Sequence, residues 1–262
     1  MTSIAEAIRA ALLTCEPAAK VRATRQLVRR WRRGEFAWNF SLTMPDRPAW
    51  PTDLVLLPPN RMPKRGRGGS HRNAVGLWHS LAHIEFVAID LALDMAGRFG
   101  AEMGRPFVDD FLSVAGDEAM HFAVIDRHLR GMGSGYGQLP AHDGLWQAAR
   151  ETRHDVAARL AVVPMVLEAR GLDVTPATRD RALAMGDPAG ARILQRILDD
   201  EIRHVAIGTR HFVARCEETG LQPENHWKML VGRHFRGALK PPFNDSARLA
   251  AGLSREFYAG VA

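Results

Sequence analysis

Two short segments, 83 residues apart, set a carboxylate three positions before a histidine in apolar surroundings: "GDEAMHF" at 116–122 and "DDEIRHV" at 199–205. On a helix, residues three or four apart share a face, so Glu118 projects beside His121 and Glu201 beside His204. Glu-x-x-His alone is a weak pattern. A third copy, Glu151 and His154 in "RETRHD", lies in wholly polar surroundings. An internal repeat separates the three. Residues 117–129, "DEAMHFAVIDRHL", and 200–212, "DEIRHVAIGTRHF", share Asp, Glu, His, Ala, Arg and His at the same six places. The same shift carries Glu85 onto Glu168 and Asp90 onto Asp173. Each half therefore reads as a Glu, then Glu-x-x-His 33 residues on. Glu151 and His154 have no counterpart under the shift and read as a solvated helix face.

The surviving residues fall in apolar stripes. One stripe runs Phe111, Val114, Glu118, His121, Ile125; another runs Ile193, Ile197, Glu201, His204. Leu81–Glu85–Ala88 and Leu160–Pro164–Glu168 do the same for two further helices. Burying an unpaired carboxylate costs several kcal/mol, so four together require positive charge. Two divalent cations balance four glutamates, and two imidazoles complete a ligand set of Glu85, Glu118, His121, Glu168, Glu201 and His204. Mixed carboxylate and imidazole ligation suits Fe or Mn. His79, His83, His128 and His211 read as polar boundary or pocket-lining residues.

The elements that must position this set are helices. Periodicity near 3.6 predicts amphipathic helices at 2–14 and 17–33, and long ones at about 72–99, 106–130, 143–170 and 190–219. Gly171 is expected to stop the third long helix, with Thr175 capping a short successor, and Pro164 to kink it one turn before Glu168. A smaller helical tail follows 223. Between about 41 and 70 the chain is rich in Pro and Gly and reads as an extended connector draped over a neighbour. No stretch alternates with period two for long, so the expected fold class is all-α: a four-helix bundle at 71–219, preceded by a helical pair and connector at 1–70 and followed by a helical tail at 220–262.

Composition bounds the rest. The 262 residues carry a formal charge of +6 and only two cysteines, Cys15 and Cys216. A disulfide framework is excluded, and a reducing compartment is expected. The first apolar stretch contains Glu6 and Arg9, too polar for a signal peptide, and no window reaches the length of a membrane span. The expected location is cytoplasmic. Arginines at 22, 25, 29, 30, 32 and 33, with "PKRGRGG" at 63–69, admit a nucleic acid partner, or else a solvated helix face followed by a basic linker.

With these residues in view, the chain resembles the ferritin-like di-iron carboxylate proteins, in which two helices each give a Glu and two give Glu-x-x-His. The segments "MPKR", "LAHIE", "DEAMHF", "YGQLPAHDGLW", "VLEARGLDVTP" and "DEIRHVAIG" resemble, more closely and over nearly the whole chain, a bacterial ferritin-like family labelled a domain of unknown function. The resemblance implies a ferritin-like bundle and a pair of iron ions, with manganese or a mixed pair as variants and O2 as co-substrate. It also implies that Asp200 accepts a hydrogen bond from His121 and, by the repeat, Asp117 from His204. The reaction expected is O2-dependent oxidation or hydroxylation of a small organic substrate, fed by an external electron donor. The alternatives are an RNA-associated modifying hydroxylase and a bundle that serves interaction without catalysis. A dimer is compatible with all three. Two cysteines provide no rubredoxin-type iron site.

Overall fold

The computed structural model describes residues 1–63 and 70–260, and over these the chain is all-helical, with no strand, as expected. The basic stretch at 63–69, apart from Pro63, lies outside the described residues. The chain divides into two compact units, Met1–Trp146 and Gln147–Ala262.

In the first unit, α1 (Ile4–Leu12) starts at a capping box. Ser3 Oγ accepts from the Glu6 N–H, and the Glu6 carboxylate accepts from the Ser3 N–H. Helix α2 (Pro17–Arg32) is capped by the Glu16 carboxylate, which accepts from the N–H groups of Ala18 and Ala19. It turns Val21, Leu27, Val28 and Trp31 inward and leaves Arg22, Arg25, Arg29, Arg32 and Arg33 exposed. The arginine run is thus the solvated face of an amphipathic helix. Its one inward cation is Lys20, fully buried and paired with the equally buried Asp90.

The Pro-rich connector drapes over these helices, as expected. The Ala49 N–H donates to Leu12 O, Trp50 Nε1 donates to Asp90, and the Met44 side chain is buried. Helices α3 (His71–Met103) and α4 (Arg105–Gly131) form a hairpin joined by Gly104 alone. That link requires φ +84°, which glycine adopts without strain. Fully buried Phe86, Ile89, Phe107 and Ile125 fill the hairpin, each contributing roughly 1.5–3 kcal/mol by leaving water.

The third long helix differs from expectation. Helix α5 (Gly144–Glu151) ends, Asp155 caps a new helix α6 (Val156–Val162), a π-helical turn occupies Val163–Glu168, and α7 (Ala169–Ala184) follows. The break has a local cause. The Asp155 carboxylate accepts from the Ala157 and Ala158 N–H groups, while the buried Arg159 reaches back to Thr152 Oγ1 and to Ala149 O at the end of α5. Pro164 produces a π-helical turn, in which the Ala169 N–H closes onto Pro164 O five residues back.

Gly171 does not stop the helix, and Thr175 caps nothing; both lie inside α7, which continues through Pro176. Proline at 176 deprives the Leu172 carbonyl of its helical donor, and Asn244 Nδ2 supplies the missing hydrogen bond at 3.1 Å. The unit is completed by α8 (Pro188–Glu218), α9 (Pro223–His234), α10 (Asp245–Ala250) and α11 (Arg255–Tyr258). Here too a buried carboxylate is anchored from outside the long helices. Arg248 of α10 donates from Nε and Nη2 to the two oxygens of Asp173, at 2.9 and 2.7 Å.

Candidate metal centre

Helix geometry delivers the first half of the set. Glu85 of α3 and Glu118 and His121 of α4 are buried, the last two completely. One ligand atom from each lies within 4.8 Å of the others, a spacing at which the three could hold a metal ion. His121 Nδ1 stands 3.3 Å from Glu118 Oε2 and 3.4 Å from Glu85 Oε2. Burial, reinforced by the charge of Glu118, drives the Glu85 carboxyl well above its usual range against the pull of His121. Burial alone would depress His121, but Glu118 and Glu85 overcome it and lift the imidazolium to about 11. These are the electrostatics of a carboxylate cluster short of positive charge: in the absence of a cation, protons take its place.

The second unit carries the repeat's counterpart. Glu201 and His204 lie on the inner face of α8, both buried, with His204 Nδ1 3.7 Å from Glu201 Oε1. Glu168 is half-buried at the last position of the π-helical turn. Gly208, one turn after His204, faces Pro164 so closely that a Cβ there would overlap the proline ring. The missing side chain thus lets α8 seat against the turn that presents Glu168. At Gly171 a side chain would make only ordinary contact with the Glu201 stem, at 3.9 Å.

The two aspartates expected to hold histidines are both half-buried. Asp200 accepts from Arg196 Nε at 2.7 Å on its own helix. The discarded pair is at the surface, with Glu151 facing Arg236 at 3.1 Å and His154 exposed. His128 packs its ring against Trp78.

Tyr136 escaped notice in the sequence, because "GSGYGQLP" reads only as a loop. Its ring packs between Phe86 and Phe122, the chain neighbours of Glu85 and His121, and its hydroxyl bonds His83. Lys20 was also missed. One lysine in a basic helix gives no sign that it turns inward.

Comparison with known proteins places this arrangement in a lineage. Residues 13–259 match the model of a family described as "Protein of unknown function (DUF455)". An uncharacterized protein of Haemophilus influenzae is 40% identical over 213 residues, covering 79% of this chain and 74% of its own length. No solved structure matches the chain.

Proposed function

We propose that this chain, which belongs to the family described as "Protein of unknown function (DUF455)", is a ferritin-like dinuclear non-haem metal protein that oxidises an organic substrate with O2. The observation that carries the reading is the buried trio Glu85, Glu118 and His121, whose ligand atoms lie within 4.8 Å. The repeat supplies Glu168, Glu201 and His204 as the matching half, so that four carboxylates and two imidazoles face two ions.

The donor set fits divalent iron or manganese, since it mixes hard oxygen with imidazole nitrogen and contains no thiolate. In each Glu-x-x-His the nitrogen nearest the carboxylate is Nδ1, which would be the nitrogen offered to an ion. The resemblance would give Asp117 and Asp200 the task of accepting the remaining ring N–H of a ligating histidine, which would fix the ring and raise its basicity. When bound, the ions would supply the electrons that make O2 reactive. Phe111 and Val114, buried on the same face of α4 as Glu118, would keep bulk water from the reacting centre. Hydroxylation consumes O2, two electrons and two protons and leaves water beside the product, so an external electron donor is required.

A second reading, an RNA-associated hydroxylase, draws on α2. Arg25, Arg29 and Arg32 are exposed on one face of that helix and have no ion-pair partner among the described residues.

Metal analysis tests the first reading. Purified from iron- and manganese-replete cells, the protein should carry close to two ions per chain. Glu118→Ala and Glu201→Ala should each lose them, whereas Glu151→Ala should keep them. Less than about one ion per chain in the parent, or equal loss in all three variants, would return the bundle to a non-metal role.

A further inference from the structure

A cavity of about 610 Å³ opens in the first unit, on the face of α3 turned away from Glu85. His83, on that face, lies two residues before Glu85, about 160° around the helix. The volume is in the usual range for small-molecule sites. Its walls come from segments that the metal ligands leave unused: Met62 of "MPKR", and Leu139, Pro140 and Leu145 of "YGQLPAHDGLW".

Of the histidines that border it, His79 and His83 have different assignments. His83 Nε2 meets the His142 carbonyl at 3.0 Å and must donate, so its Nδ1 accepts from the Tyr136 hydroxyl at 2.9 Å. Both nitrogens are engaged, and His83 is a strut in the wall. His79 is the reverse case. The backbone N–H groups of Gly137 and Leu139 both donate to its Nε2, at 3.0 and 3.3 Å, so the ring proton resides on Nδ1. Burial holds His79 down to about 4, so the ring is neutral. The side chain is 1% exposed, and its Nδ1–H has no partner among the described residues. A buried donor fixed on a cavity wall is built to meet an acceptor.

Arg72, in the first turn of α3, has an exposed guanidinium without an ion-pair partner among the described residues. It stands at the positive end of a 33-residue helix. Arg72, Gly76 and His79 follow one another along a single face, so the cation and the donor are separated by two turns, about 10 Å. Gly76 lies between them with open space where a side chain would begin.

We propose that this cavity binds an elongated, apolar-bodied monocarboxylate, its anion at Arg72 and a hydrogen-bond acceptor on its far end at His79. Met62, Leu139 and Leu145 cover the body between. Among the described residues Arg72 is the one cation bordering the cavity, and it matches one negative charge. The site is independent of the metal proposal.

Calorimetric titration with monomethyl suberate, a carboxylate with an ester carbonyl at the opposite end, tests it. The parent should bind one equivalent. Octanoate, which lacks the distal acceptor, should bind about tenfold more weakly, and Arg72→Gln should weaken both ligands about tenfold. Gly76→Leu, which fills open space and favours the helix, should abolish binding while leaving metal content and thermal midpoint at or above those of the parent. No heat of binding at millimolar ligand, equal affinity for the two acids, or undiminished binding to a folded Gly76→Leu variant would each overturn the assignment.

Discussion

Replacing Lys20 with methionine removes one charge from a fully enclosed ion pair of the first unit and keeps the side-chain stem. Lys20 and Asp90 are both completely buried. The ammonium also donates to Ala49 O at 3.0 Å and Leu12 O at 3.4 Å, and lies 4.9 Å from the centre of the Phe86 ring. Asp90 retains only Trp50 Nε1, at 2.8 Å, once the lysine is gone. Stranding one member of a buried pair costs about 3–5 kcal/mol. Ala49 O also loses its lysine donor, whereas Leu12 O keeps the Ala49 N–H at 2.9 Å. At roughly 2–4 °C per kcal/mol for a chain of this size, the melting midpoint should fall by about 6–20 °C.

The pH dependence has a definite sign. Burial raises the Asp90 carboxyl from 3.8 to about 6, against the pull of Lys20. The folded state therefore binds more protons than the unfolded one between those values, and stability declines as pH rises through them. Without Lys20 the carboxyl climbs further, and the window extends toward neutrality. The deficit of Lys20→Met should be largest at pH 7.5 and shrink at pH 5.5, where Asp90 holds its proton. Scanning calorimetry of metal-free parent and variant at both pH values measures this. A deficit below about 1 kcal/mol at pH 7.5, or one that grows on acidification, would refute the buried-pair argument.

Two further outcomes are expected. Asn244→Ala removes the donor to Leu172 O beside Pro176 and the acceptor that caps α10 at the Ala247 N–H, and should destabilise the protein by about 1–2 kcal/mol in urea denaturation. A change near zero would mean that water replaces both bonds. Asp200→Ala should keep the metal stoichiometry and weaken affinity by about 10–100-fold in competition with a chelator. Unchanged affinity would show that Asp200 does not support the metal site.

Helix identity was legible because apolar spacing near 3.6 residues persists across α2, α3, α4 and α8, whose limits fall within a few residues of those expected. The region from 144 to 184 was not, because its punctuation is misleading without tertiary context. Gly171 and Pro176 look like stops, yet Glu201 packs over the first and Asn244 repairs the second. The break between α5 and α6 falls in the polar run "RETRHD", which reads as the solvated face of one continuous helix, yet Asp155 and Arg159 cap and tie the two ends there. The buried glutamates and histidines could be found because two copies were present to compare. The cavity could not, since the walls that close it against α3 come largely from irregular segments that have no period.

The repeat transmits more than ligands. Asp90 and Asp173 stand at equivalent places, each five residues beyond the first Glu of its half, and each is a buried carboxylate held by a cation from outside the repeated helices. Lys20 comes from α2, ahead of the first half, and Arg248 from α10, behind the second; each is itself buried. Successive residues differ by about 100° around a helix, so a slip of one position would swing Glu85 or Glu168 off its face. A charged lock about one and a half turns away opposes that rotation, since turning the helix would part a buried ion pair. The extension and the tail thus each hold a segment that carries one of the repeated glutamates, Glu85 or Glu168. The aspartates were visible under the 83-residue shift, but their partners lie outside the repeat and share neither residue type nor position. Comparing the halves could reveal the sockets but not what fills them.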